Sequence, residues 1–168
     1  INLGAVFYTS GDSDRARDCF ERSLQHAARS GNRQRVGVAV GNLGAIYHTR
    51  GDYGRALDCY VQKLQCALDV GDRAEISVSL GNLGHIYEDQ GEYARASGCY
   101  LRSMEHALDM GDRTGVGTAL LGLATVALAE DDLGEAERLA GRAEPVFADM
   151  GATYELADCR AVRAEIAS

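Results

Sequence analysis

Apolar residues recur along this chain at the three- and four-residue spacing of an amphipathic helix. Between residues 73 and 90, Ile76, Leu80, Leu83 and Tyr87 fall on one stripe at 100° per residue. Stretches of this kind run for roughly 18 residues, ~27 Å as helices, and a glycine followed by a polar residue ends each one. The pairs are Gly11-Asp12, Gly31-Asn32, Gly51-Asp52, Gly71-Asp72, Gly91-Glu92 and Gly111-Asp112. Glycine supplies the left-handed residue that stops one helix, and the polar side chain caps the next. Glutamate caps less well than aspartate, so Gly91-Glu92 is the least secure stop. The run Glu130-Asp131-Asp132 stands where a seventh pair is due and reads as a solvated turn with a cap. The pattern predicts a partial helix at 1–10, then helices near 12–30, 33–50, 52–70, 72–90, 92–110, 112–130, 132–150 and 152–166. Turns this short require neighbouring helices to run antiparallel.

The punctuation has a period of forty. Residues 41–80 and 81–120 align without a gap and are identical at nineteen of forty positions. Residues 1–40 keep Leu3, Gly4, Phe7, Gly11, Ala16, Phe20 and Gly31 in register, and 121–160 keep Leu123, Ala136 and Gly151. The chain is therefore a tandem array of helix pairs, here read as one array over 1–168 with repeats at about 1–40, 41–80, 81–120 and 121–160. Leu43, Leu83, Tyr47, Tyr87, Tyr60 and Tyr100 take matching places and are expected in the core. Gly84 lies beside the stripe, where a missing side chain lets the next helix approach. Residues 151–168 are expected to form a terminal capping helix buried along Tyr154, Ala157, Val162 and Ile166. Pro145, with Gly141 four residues before it, predicts a kink in the preceding helix. Ile1 aligns with mid-helix positions Gly41 and Gly81, so the array reads as a fragment of a longer protein.

The spacing L-G-x-x-Y followed by A-x-x-x-Y resembles the tetratricopeptide signature. It stands here as Leu43-Gly44-Tyr47 with Ala56-Tyr60, as Leu83-Gly84-Tyr87 with Ala96-Tyr100, and as Leu3-Gly4-Phe7 with Ala16-Phe20. The usual repeat has 34 residues and a terminal proline; these repeats lack the proline and lengthen the helices. Their GNLG…GDR form resembles the repeats of Pins/LGN-like adaptors and the repeat arms of bacterial signalling regulators. The resemblance implies an all-α, right-handed superhelical solenoid whose first helices line a concave groove. It also implies that the asparagine of GNLG faces that groove and bonds the backbone of an extended peptide.

Charge and chemistry narrow the function. Acidic residues outnumber basic ones 25 to 17, for a net charge of -8. That balance argues against a nucleic-acid surface. The imbalance grows along the chain, from six basic against four acidic residues in 1–40 to three against nine in 121–160. No apolar run is long enough for a membrane span. Only Lys63 is lysine, a bias of GC-rich bacterial coding. Cys19, Cys59 and Cys99 recur every forty residues, too far apart in stacked helices for a disulfide, and are expected as small buried thiols in a cytoplasmic, reducing setting. No C-x-x-C pair, phosphate loop or nucleophile elbow occurs, so neither a metal nor a cofactor is expected, and no enzyme.

What remains is the face turned away from the core: Val38 and Asn42 on the helix near 33–50, Val78, Asn82, His85 and Asp89 on the helix near 72–90, and Asn2 on the partial first helix. Gly122 takes the asparagine's place on the helix near 112–130. An amide both donates and accepts, as a peptide backbone requires, although the same group could instead bond between neighbouring helices. Val38, Val78 and Thr118 stand where the resembling adaptors often carry arginine for acidic ligands, so a neutral or mildly basic peptide fits better. The expected function is a non-catalytic module binding a protein or peptide segment. The alternative is a structural or sensory arm of a larger bacterial regulator, an ATPase or transcription factor, contacting its own domains or another copy of itself.

Overall fold

The computed structural model describes residues 3–167, and among them every regular element is a helix. The elements are α1 (Leu3–Thr9), α2 (Ser13–Arg29), α3 (Arg33–Thr49), α4 (Tyr53–Val70), α5 (Arg73–Asp89), α6 (Tyr93–Met110), α7 (Arg113–Ala129), α8 (Leu133–Met150) and α9 (Thr153–Ile166). The fold is an all-α repeat of the solenoid class, assembled from antiparallel helix pairs. The chain divides into two compact units, Ile1–Glu75 and Ile76–Ser168.

The turns form as their residues dictate. Gly11, Gly31, Gly51, Gly71, Gly91, Gly111 and Gly151 all have positive φ. Side-chain oxygens of Asp12, Asn32, Asp52, Asp72, Asp112 and Asp132 accept the backbone N–H three residues on, at 3.0–3.2 Å. Each such cap contributes about 1 kcal/mol. Glu92 makes no side-chain cap bond, in keeping with its longer side chain. At the turn without glycine, Asp131 itself takes the left-handed conformation, φ 64°.

In the first unit, Ala16, Phe20, Leu43 and Ile46 form one core cluster, and Ala27, Val36, Val40 and Cys66 another. In the second, α6 to α9 share a core around Leu120, Ala124, Leu139, Ala140, Phe147, Cys159 and Val162. Leu43, Leu83, Tyr60, Tyr87 and Tyr100 are buried as expected. Tyr47 is only half-buried. It sits at the end of its helix, where the Arg55 guanidinium covers its ring at 4.9 Å. Arg15 over Phe7 and Arg95 over Tyr87 repeat the contact.

Two expectations need correcting. Cys19, Cys59 and Cys99 are only half-buried, because they flank the core aromatic and do not lie under it; Cys66 and Cys159 are the buried thiols. The stripe of α9 is Leu156, Cys159, Val162 and Ile166. Tyr154 is 84% exposed and Ala157 is exposed, because the apolar ring at the helix start points outward and mis-phases the wheel. Pro145 lies inside α8, which continues to Met150.

Candidate functional site

In the first unit the outward face of α3 presents Val38, half-exposed, and Asn42, half-buried. No hydrogen bond to another described residue holds the Asn42 amide. Beside it Lys63 crosses from α4 over Gly41, where a methyl would meet Lys63 Cδ at 2.8 Å. The lysine side chain is 12% exposed and its ammonium lies 3.0 Å from Glu75. The cavity beneath Val38 and Lys63 measures about 40 Å³, room for a water and not for a ligand.

The second unit is built differently. On α5, Val78 and Asp89 are exposed and Asn82 is half-buried, again with no hydrogen bond from its amide to a described residue. Tyr100 passes from α6 between two glycines. A methyl at Gly84 would lie 2.5 Å from Tyr100 Cε1, and one at Gly122 would lie 2.6 Å from Cζ. Those bare positions let the phenol reach the outward face. There its hydroxyl donates to Glu88 Oε2 at 2.6 Å and lies 2.8 Å from His85 Nδ1. The one phenolic hydrogen goes to Glu88, which leaves the phenol oxygen to accept from His85 Nδ1–H. Burial, then the bond to Glu88 and its charge, hold the Tyr100 phenol far above its ordinary pKa. It stays a neutral donor at any physiological pH.

Next to this cluster opens a cleft of about 410 Å³. His85 and Glu88 of α5 form one wall and Asp158, Ala161, Val162 and Glu165 of α9 the other. Thr118, Leu121, Gly122, Thr125 and Leu128 of α7 form its floor. Thr125 and Leu128 stand forty residues after His85 and Glu88, and Ala140 stands forty after Tyr100. Ala140 is buried in one core cluster with Ala124 and Val162, so no phenol reaches the outward face at Thr125 and Leu128.

The structure thus gathers His85 with Glu88 and Tyr100, and leaves Val78 and Asp89 outside the cleft lining. Asn2 lies outside the described residues. Sequence reasoning placed Thr118 on this face but missed Glu88, Asp158 and Glu165, and it assigned Tyr100 to the core alone. The forty-residue offset between Thr118 and Asp158 was the available signal, hidden because α9 was read only as a cap. Among the described residues no group of three or more His, Cys, Asp or Glu side chains is arranged to hold a metal, and no helix is long and apolar enough to cross a membrane.

Comparison with known proteins places this geometry. The family profile described as tetratricopeptide repeat matches residues 1–69 and 75–149. No curated protein matches the chain. Among solved structures, the chain is similar to BtubC (BKLC) from P. vanneervenii, with TM-score 0.75 and 16% identity over 99% of this chain and 79% of that one. It is also similar to a putative kinesin light chain of Podosopora anserina with nearly identical TPR-like repeats, with TM-score 0.70 and 14% identity over 97% and 84%. At such identities the likeness concerns the fold.

Proposed function

The chain belongs to the tetratricopeptide repeat family, and from that premise we propose that it is a non-catalytic module holding an extended segment of a partner protein. The observation that carries this reading is the recurrence of Asn42 and Asn82. Both are half-exposed on a first helix, both have amides unengaged by other described residues, and both follow an exposed valine by four positions. Each amide bonds the peptide backbone on its own unit's face, and Val38, Val78 and His85 contact ligand side chains. The match of these asparagines to the GNLG of Pins/LGN-like adaptors supports the same assignment. A cytoplasmic setting goes with it, since all five cysteines are free thiols.

The test is selection of a displayed library of twelve-residue peptides on the purified chain, followed by affinity measurement on Asn42→Ala, Asn82→Ala and the double variant. A lost hydrogen bond costs about 0.5–1.5 kcal/mol, so the double variant should bind several-fold more weakly with unchanged helix content. Undiminished binding would refute the reading.

One observation favours the regulator-arm alternative. Val61 and Leu68 on α4, and Leu101 and Leu108 on α6, are about half exposed at matching repeat positions. Aliphatic groups recurring on second helices suit contact with another domain or another copy. Concentration-dependent sedimentation that is lost on Leu101→Ser and Leu108→Ser would support it.

A further inference from the structure

We propose that the cleft of the second unit is a receptor for a single arginine of the bound segment, an inference that rests on the reading of the chain as a segment-binding module. The lining carries three carboxylates, Glu88, Asp158 and Glu165, together with one histidine and neither arginine nor lysine. The carboxylates stand on opposite walls, above a floor of Leu121, Gly122 and Leu128 that is bare of charge. A long side chain that is aliphatic along its stem and cationic at its tip matches that distribution, with the stem on the leucines and the head at the rim. Arginine suits it better than lysine. Its planar fork bonds a carboxylate in bidentate fashion and can serve two acceptors at once.

Two details of the site support a built receptor over a merely acidic surface. Glu88 is held in place by the Tyr100 hydroxyl at 2.6 Å, and its side chain is only 24% exposed. It meets a cation already oriented, and less freedom is lost on binding. The two arginines of α9 are engaged on α8. Arg163 and Arg160 of α9 pair with Glu144 on α8, and Arg163 with Glu137 as well. Acidic segments are excluded by the same charges. The site lies wholly within the second unit and does not involve Asn42.

The experiment is an NMR titration of the whole chain with two capped seven-residue peptides, alanine throughout except for a central arginine or its neutral isostere citrulline. Saturable shifts of the Thr118, Gly122 and Thr125 amides with the arginine peptide, at least five-fold weaker with citrulline, are expected. Glu88→Gln keeps an acceptor for Tyr100 and should weaken the arginine peptide at least three-fold. Asp158→Asn, at an exposed position, should do likewise and guards against a folding defect in the first variant. Glu135→Gln, remote from the cleft, should change nothing.

Equal binding of the two peptides, or an effect of Glu135→Gln as large as that of Glu88→Gln, overturns the proposal by showing a diffuse attraction. So do shifts of these amides with protein concentration alone, which would make a second copy the occupant. Peptide shifts confined to Asn42 and Asn82 overturn the receptor but leave the module reading intact. Failure of both peptides and of every library peptide defeats both.

Discussion

In the helix pair α5–α6 the large ring stands at Tyr100, between Gly84 and Gly122. In α7–α8 the corresponding position is Ala140, and Ala124 takes the place of Gly84. The large ring of that pair stands seven residues further on, at Phe147, against Gly117 at 3.0 Å from where a methyl would lie. Glycine travels with the ring. Two turns of second helix separate the two solutions, and both bury the aromatic completely. The lesson is that the repeat conserves a volume balance between facing helices and not a residue at a position. Where the ring sits then decides what the outward face offers. Tyr100 sends a hydroxyl through to Glu88 and His85, whereas Phe147 has no polar group to send and Ala140 is buried without one.

The largest expected effect tests the displaced ring. Phe147 is fully buried, so Phe147→Ala should cost about 3–5 kcal/mol in denaturant unfolding. Were Phe147 only a spectator of the pairing, the loss would be within a few tenths of a kcal/mol, and the comparison would collapse to one aromatic site instead of two.

The next test concerns the partner glycines. Gly122→Ala should destabilise by about 1–3 kcal/mol, since the new methyl meets a ring packed on all sides. Gly141→Ala is the control: no heavy atom lies within 4 Å of the methyl it would add, and it should stabilise α8 by about 0.5–1 kcal/mol. Opposite signs in thermal melts would tie the effect to the ring. The same sign in both would mean that helix propensity governs.

The comparison can also be reversed. Ala140→Tyr alone overfills the fourth pair against Ala124, and Ala124→Gly alone loosens it. Together they restore one of the two glycine contacts of the third pair, Val162 standing where a second glycine would be, and a double-mutant cycle should give a favourable coupling of about 0.5–3 kcal/mol. The new ring would also enter the space between Thr125 and Leu128 and weaken the arginine peptide. Additive energies would show that α7 and α9 cannot accept the ring.

Much of this was legible in the chain, for definite reasons. Gly-Asp punctuation marks both a left-handed stop and a cap, so the helix bounds could be read nearly to the residue. Leu83 and Tyr100 were legible because they repeat at forty. The cleft was not, because its lining comes from α5, α7 and α9. Nothing local pairs Glu88 with Asp158 or Glu165, and only α9 packed on α7 brings them to one cleft. Tyr154 misled for a different reason: an aromatic reads as core, yet a ring in the first turn of a terminal helix has nothing beyond it to pack against.

The smallest expected effect lies at the turn joining α7 to α8. Asp131 is the only non-glycine among the described residues with positive φ. The bonding of its turn is the same as elsewhere, with Asp132 N–H on Ala127 C=O at 2.9 Å, as Asp112 N–H is on Ala107 C=O at 2.8 Å. The backbone is therefore held to the glycine geometry by the helices on either side, and the side chain bears the strain. Aspartate tolerates this conformation better than most residues, and its charge near the start of α8 is favourable to that helix. Asp131→Gly removes both the strain and the charge, so the net gain should stay below about 1 kcal/mol. Gly91→Asp, in the third repeat, imposes the strain where it was absent and should lose a comparable amount. A gain and a loss of similar size in unfolding free energy would show that the two turns are one structure carrying different residues. A loss in both would mean that Asp131 contributes more through its charge than its backbone costs.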